Sequence, residues 1–111
     1  MDFDTYQEKS KVTRFNFEGS KVPALAYWAL GLNGEAGELA EKIKKIYRDD
    51  EGEITEERKE ALKKELGDCL WYLAQIAEDL GLTLEEAAEN NIEKALGRKE
   101  RGTLHGDGDD R

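Results

Sequence analysis

The sequence predicts an all-α protein, an antiparallel bundle of about four helices. Apolar residues recur at three- and four-residue spacing through two long stretches, which is the signature of amphipathic helix. The only proline is Pro23, so long runs are free to be helical. No stretch carries the strict alternation of a half-buried strand.

A short first helix is expected from Asp4 to Arg14, with Phe3, Tyr6 and Val12 toward one side. A loop through Asn16, Glu18 and Gly19 leads to Ser20, an N-cap type, with Pro23 in the first turn of a second helix reaching about Arg48. Its apolar positions are Leu25, Trp28, Ala29, Leu32, Ala36, Leu39, Ala40, Ile43 and Ile46. Gly31, Gly34 and Gly37 interrupt it, each at a cost of about 1 kcal/mol relative to alanine, so something is expected to approach closely there. After the solvated loop Asp49 to Glu53, Thr55 caps a third helix whose apolar stripe is Leu62, Leu66, Cys69, Leu70, Leu73, Ile76, Ala77 and Leu80. Gly81 stops it. Thr83 and Glu86 form a capping box for a fourth helix, expected to end at Gly97. Residues 1–97 then form the domain, and 98–111 a flexible, glycine-rich, charged tail. Two long helices joined by a short loop pack as antiparallel neighbours.

A chain of 111 residues holds one domain with a modest core, which favours oligomerisation. Its net charge of −9 repels a phosphate backbone and argues against nucleic acid as a partner. A small phosphorylated ligand stays open if a divalent cation joins it to carboxylates. Cys69 is the only cysteine, so no intrachain disulfide forms, which suits a reducing compartment. No apolar run approaches the roughly 18–20 residues of a membrane span, and the acidic N-terminus lacks a signal-peptide pattern. The expectation is a cytoplasmic protein without a membrane partner.

The informative residues are carboxylates inside apolar stripes. Glu35 and Glu38 are three apart on the second helix, and Glu65 and Asp68 three apart on the third. Each pair therefore projects from one face, and antiparallel pairing can bring the two pairs together. Four converging carboxylates raise one another's pKa or push the helices apart unless a hard cation intervenes. The spacing by itself also fits a solvated acidic face. The small and apolar neighbours Gly34, Ala36, Gly37, Leu39, Leu66, Gly67 and Cys69 favour a half-buried site instead.

Seven residues make nearly two helical turns, so Trp28 and Lys42 extend the Glu35 stripe in the two directions, and Tyr72 extends that of Glu65. Aromatic faces stack on bases and a cation meets phosphate oxygens. Ordinary core packing is the alternative for Trp28 and Tyr72. Asn91, Lys94 and Arg98 form a further stripe on the fourth helix, either a phosphate clamp or a solvated face. His105 is the lone histidine, so neither a zinc site nor a glutamate–histidine di-iron bundle is supported.

The runs Gly34-Glu35-Ala36-Gly37-Glu38 and Glu65-Leu66-Gly67-Asp68, with 26 residues between Glu38 and Glu65, resemble the ExxE and ExxD signature of MazG-type nucleotide pyrophosphohydrolases. Asn91-Ile92-Glu93-Lys94 with Arg98 is similar to that family's later Asn-x-x-Lys and basic residue. The ending from Arg101 to Arg111 resembles the tail of its small single-domain members.

The resemblance implies a helical homodimer or homotetramer with sites at the subunit interface. It implies hydrolysis of an NTP or dNTP to the monophosphate and pyrophosphate, as house-cleaning of the nucleotide pool. Glu35, Glu38, Glu65 and Asp68 would hold Mg²⁺, with Mn²⁺ able to substitute, and Glu35 and Glu38 would be catalytic, Glu38 as general base. Trp28, Lys42, Tyr72, Asn91, Lys94 and Arg98 would bind the substrate. Two rivals remain at this point: a phosphoribosyl-ATP pyrophosphohydrolase of the same superfamily, and a non-catalytic helical interaction module.

Overall fold

The computed structural model describes residues 1–19 and 21–111, and among them there are four α-helices and no strands. Helix α1 spans Phe3–Ser10 and continues as a single 3₁₀ turn, Lys11–Thr13, so the expected first helix changes its winding before Arg14. Asp2 caps α1 by accepting from the Thr5 N–H at 2.8 Å. Helix α2, Lys21–Asp49, is the longest at 29 residues, with Pro23 in its first turn as expected. The expected cap at Ser20 lies outside the described residues.

Helix α3, Glu56–Asp79, returns antiparallel to α2. Thr55 caps it through the Arg58 N–H, and Arg58 in turn donates from Nε to Asp50 in the connecting loop at 2.8 Å. The loop turns with Glu51 and Gly52 both at positive φ. At its other end α3 closes where Gly81 was expected to stop it, with the Leu82 N–H reaching back to the Ala77 carbonyl at 2.9 Å.

Helix α4, Leu84–Arg101, starts on the expected Thr83 cap but does not stop at Gly97. One interior glycine costs only about 1 kcal/mol. Lys99, Glu100 and Arg101 are good helix formers, and the basic pair suits the negative end of the helix dipole. Gly102, at φ 72°, takes the left-handed position that ends the helix, and the Thr103 N–H bonds the Arg98 carbonyl at 2.8 Å.

The core is small: Ala24, Trp28, Ala74 and Ala77 lie toward the open end of the α2–α3 hairpin, and Ile46 is buried near its loop. Trp28 is its centre, with 0% of its surface exposed, edge-on to Trp71 at 5.5 Å and Tyr27 at 5.3 Å between ring centroids. Its indole N–H donates to Asp79 at 2.8 Å, and the second Asp79 oxygen accepts from Arg14 at 2.6 Å. Burial pushes the Asp79 carboxyl up, but these two donors outweigh it and hold the group below the ordinary carboxylate range. Helix α1 is tied down by buried Gln7, which donates to Glu78 and to the Leu82 carbonyl and accepts from the Leu84 N–H.

Much of the apolar stripe read from the sequence is not covered. Ile43, Leu66, Leu73 and Leu80 are each more than 40% exposed. The accessible surface of 8234 Å² exceeds the roughly 6,200 Å² typical of a monomer of this mass. The radius of gyration of 17.1 Å likewise exceeds the roughly 13 Å of a compact domain of this length.

Of the three glycines in α2, Gly31 is the one with a close neighbour: a Cβ there would fall inside the Tyr72 ring, whereas Gly34 and Gly37 meet nothing within 4 Å. Gly31→Ala is therefore expected to lower the urea-unfolding free energy by about 1–3 kcal/mol through overpacking. Gly34→Ala should instead raise it by up to about 1 kcal/mol. Equal responses at the two positions would contradict this packing.

Candidate active site

The four acidic residues of the sequence motif sit on the facing sides of α2 and α3. The register of the hairpin is held on one side of them by Lys42, whose ammonium lies 3.2 Å from Glu65. On the other side it is held by the seat of Tyr72 against Gly31. Between these points, one oxygen from each of Glu35, Glu65 and Asp68 lies within 4.8 Å of the others. Glu38 stands one turn further along α2, exposed and outside this trio.

The electrostatics carry the strain expected of such a cluster. A hydrogen bond shared with Glu65 raises the Glu35 pKa most, followed by burial and the charges of Asp68, Glu65 and Glu38. The Glu65 side chain is 12% exposed, and its Oε2 is buried without a hydrogen-bond partner. That oxygen has acceptor capacity that nothing among the described residues fills. The cluster has the chemistry of a divalent-cation site: hard oxygen donors, closely spaced and short of positive charge.

Three further groups surround the acids. Tyr72 has its phenol pushed up by burial, then by Tyr27, Glu35 and Asp68. Cys69 is pushed up by burial and then by Glu35, Glu65 and Asp68. Tyr6 of α1 is pushed up by burial and by Asp68. Sequence reasoning placed Tyr6 only on the apolar side of the first helix. No spacing within one helix reports which residue another helix brings beside it.

The remaining candidates divide. Lys42 and Tyr72 are at the acids. Trp28 is a correction: its ring is sealed in the core, bonded to Asp79, and has no face free for a base. Asn91 lies on an exposed part of α4. Lys94 is 3.6 Å from the Asp109 carboxylate, and Arg98 donates to the carbonyls of Gly108 and Asp109. Among the described residues, no ion pair or hydrogen bond joins Lys94 or Arg98 to the four acids. The tail closes on itself through Arg111, whose guanidinium donates to the Thr103 and Leu104 carbonyls at 2.9 and 2.8 Å.

No helix among the described residues is long and apolar enough to cross a membrane. No solved structure matches the chain. The Gene 37 protein of Mycobacterium phage L5 is 47% identical over 115 residues, with each chain covered along its whole length. The model of the MazG nucleotide pyrophosphohydrolase domain matches residues 26–103, which takes in α2 from Ala26 onward, α3, α4 and all four acids. By that match, with the acids of both motifs facing one another across the hairpin, the chain belongs to the MazG nucleotide pyrophosphohydrolase family.

Proposed function

We propose that the protein hydrolyses nucleoside triphosphates, ribo or deoxy, to the monophosphate and pyrophosphate, removing unwanted nucleotides from the pool. The observation that carries this reading is the convergence of Glu35, Glu65 and Asp68 around an unpartnered Glu65 oxygen, in a chain of this family. These three residues, with Glu38 beside them, would hold Mg²⁺ or Mn²⁺. Such an ion, when bound, polarises phosphate oxygens and lowers the pKa of a coordinated water.

The chain's own groups do the rest. Glu38, exposed and outside the close trio, is free to accept a proton from the attacking water. Lys42 fixes the orientation of Glu65. Lys94 and Arg98, with Asn91, neutralise phosphate charge from a neighbouring copy, since within one chain they face the tail. Phosphoryl chemistry depends mainly on such positioning and charge compensation.

A second copy also has a surface to cover. At 100° per residue, Ala29, Ala36, Ala40, Ile43 and Tyr47 fall on the side of α2 away from Glu38. Leu66, Leu73 and Leu80 fall on the side of α3 away from Asp68. Two copies joined through this side make a four-helix bundle that leaves the acids open. Leu73→Glu should then run as a monomer in light scattering where the parent is a dimer or tetramer. A monomeric parent would sink the assembly.

Glu38→Gln should keep the part of the metal-induced stabilisation that Glu35, Glu65 and Asp68 supply while Mg²⁺-dependent pyrophosphate release from dNTPs falls about 10²–10⁴-fold. Full turnover by this variant would remove Glu38 from its role. Absence of release by the parent, or release unaffected by EDTA, would overturn the activity itself.

The raised Glu35 pKa sets a pH dependence. Its protonated form is the one the folded, metal-free chain favours. The stabilisation is complete below the ordinary value of 4.5 and is lost as pH rises through the raised value. Metal-free Glu35→Gln should therefore melt above the parent near neutral pH, with the gap closing as pH falls toward 4.5. Mg²⁺ at a hundredfold excess over Kd should stabilise the parent by about 2.7 kcal/mol and the variant by less. A parent indifferent to Mg²⁺ would point to a helical interaction module.

A further inference from the structure

With Trp28 sealed, the rings open to a base are its neighbours. Phe15, Phe17 and Tyr27 are 57%, 39% and 42% exposed. They form one cluster, with Tyr27 at 5.7 Å from Phe15 and 5.6 Å from Phe17 between centroids. Tyr27 is also edge-on to Trp28, which anchors the cluster to the core.

Tyr27, Gly31, Gly34 and Glu38 follow one another on α2 at spacings of four, three and four, so they make a single stripe along the helix. The two middle positions carry no side chain. The Tyr72 ring lies over Gly31, and nothing approaches Gly34 within 4 Å. The Tyr72 ring therefore fills the stripe at Gly31, and the open position between the aromatic cluster and the acids is Gly34. Tyr27 and Glu35 are eight residues apart, about 12 Å along the helix. A nucleoside triphosphate bridges such a span from its base to its phosphate chain.

We infer that Phe15, Phe17 and Tyr27 form the nucleobase platform of this enzyme, with Gly34 leaving room for the substrate between the platform and the carboxylates. The inference rests on the nucleotide reading above and names the residues that set substrate affinity. A cluster of exposed rings held against a rigid core is suited to stacking. Stacking accepts any base because every base offers a π-face, so the platform confers affinity across the four bases rather than choice among them.

The test compares Phe15→Ala and Tyr27→Leu with the parent, using the four dNTPs as substrates and inorganic tripolyphosphate as a base-free competitor. Phe15 is the most exposed of the three, so its truncation spares the fold, which a thermal melt checks. Stacking worth about 1–3 kcal/mol per base predicts a rise in KM of about 5- to 150-fold in each variant. Inhibition by tripolyphosphate, which has no base, should stay at the parent's value. A KM within twofold of the parent in both variants, with turnover intact, overturns the platform and leaves the activity standing. Equal losses for dNTPs and tripolyphosphate overturn it too, because the rings would then be holding the phosphate site rather than the base. Variants that dissociate the oligomer at unchanged KM assign the rings to an interface between copies. A parent that neither binds nor turns over any dNTP overturns both readings together.

Discussion

Carboxylates that face one another across two packed helices repel, and the rest of this structure is arranged around keeping them there. Among the described residues, the Lys42 ammonium at Glu65 is the one cation paired with the close trio Glu35, Glu65 and Asp68. The repulsion shows in Glu35, whose pKa is raised by Glu65, by burial and by the charges of Asp68 and Glu38. Such a cluster opposes folding, so the hairpin that carries it must be held from elsewhere. The Trp28–Asp79–Arg14 linkage does this at the open end of the hairpin, joining α2, α3 and the segment after α1 in one buried network. The same network explains why an indole at the heart of the protein is unavailable to substrate.

The economy of the core has a second consequence. Trp28, Ala24, Ile46, Ala74 and Ala77 are the buried apolar residues. They occupy a narrow seam, because two helices in contact can each cover only one stripe of the other. The surface and radius of the single chain both exceed those of a compact monomer. The small residues Ala29, Ala36 and Ala40 leave α2 smooth on the side away from Glu38, where another helix can come close.

Local signals in the sequence were read well where the physics is local. The Thr55 and Thr83 caps each satisfy a helix N-terminal N–H through a contact three residues away, so they are visible in a short window. The stop at Gly81 is of the same kind. The end of α4 was misplaced because Gly97 and Gly102 are both glycines followed by charged or polar residues. Only the backbone geometry separates an interior glycine from one at φ 72°. Trp28 and Tyr27 differ by a single position, yet one is sealed and the other open, since a helix turns 100° between them.

By itself, the sequence determined an all-α chain, the order and caps of its helices, and the four acids in two three-residue pairs. Those properties follow from periodicity and near-neighbour hydrogen bonding, which act within a few residues. Only the tertiary structure decided that Glu35, Glu65 and Asp68 draw together while Glu38 stands apart. It alone brought Tyr6 beside Asp68, buried Trp28 on Asp79, and turned Lys94 and Arg98 toward the tail. Each of these is a contact between segments distant in the chain or a choice between faces of one helix. Such outcomes depend on hairpin register and on which stripe wins burial, and no local pattern encodes either.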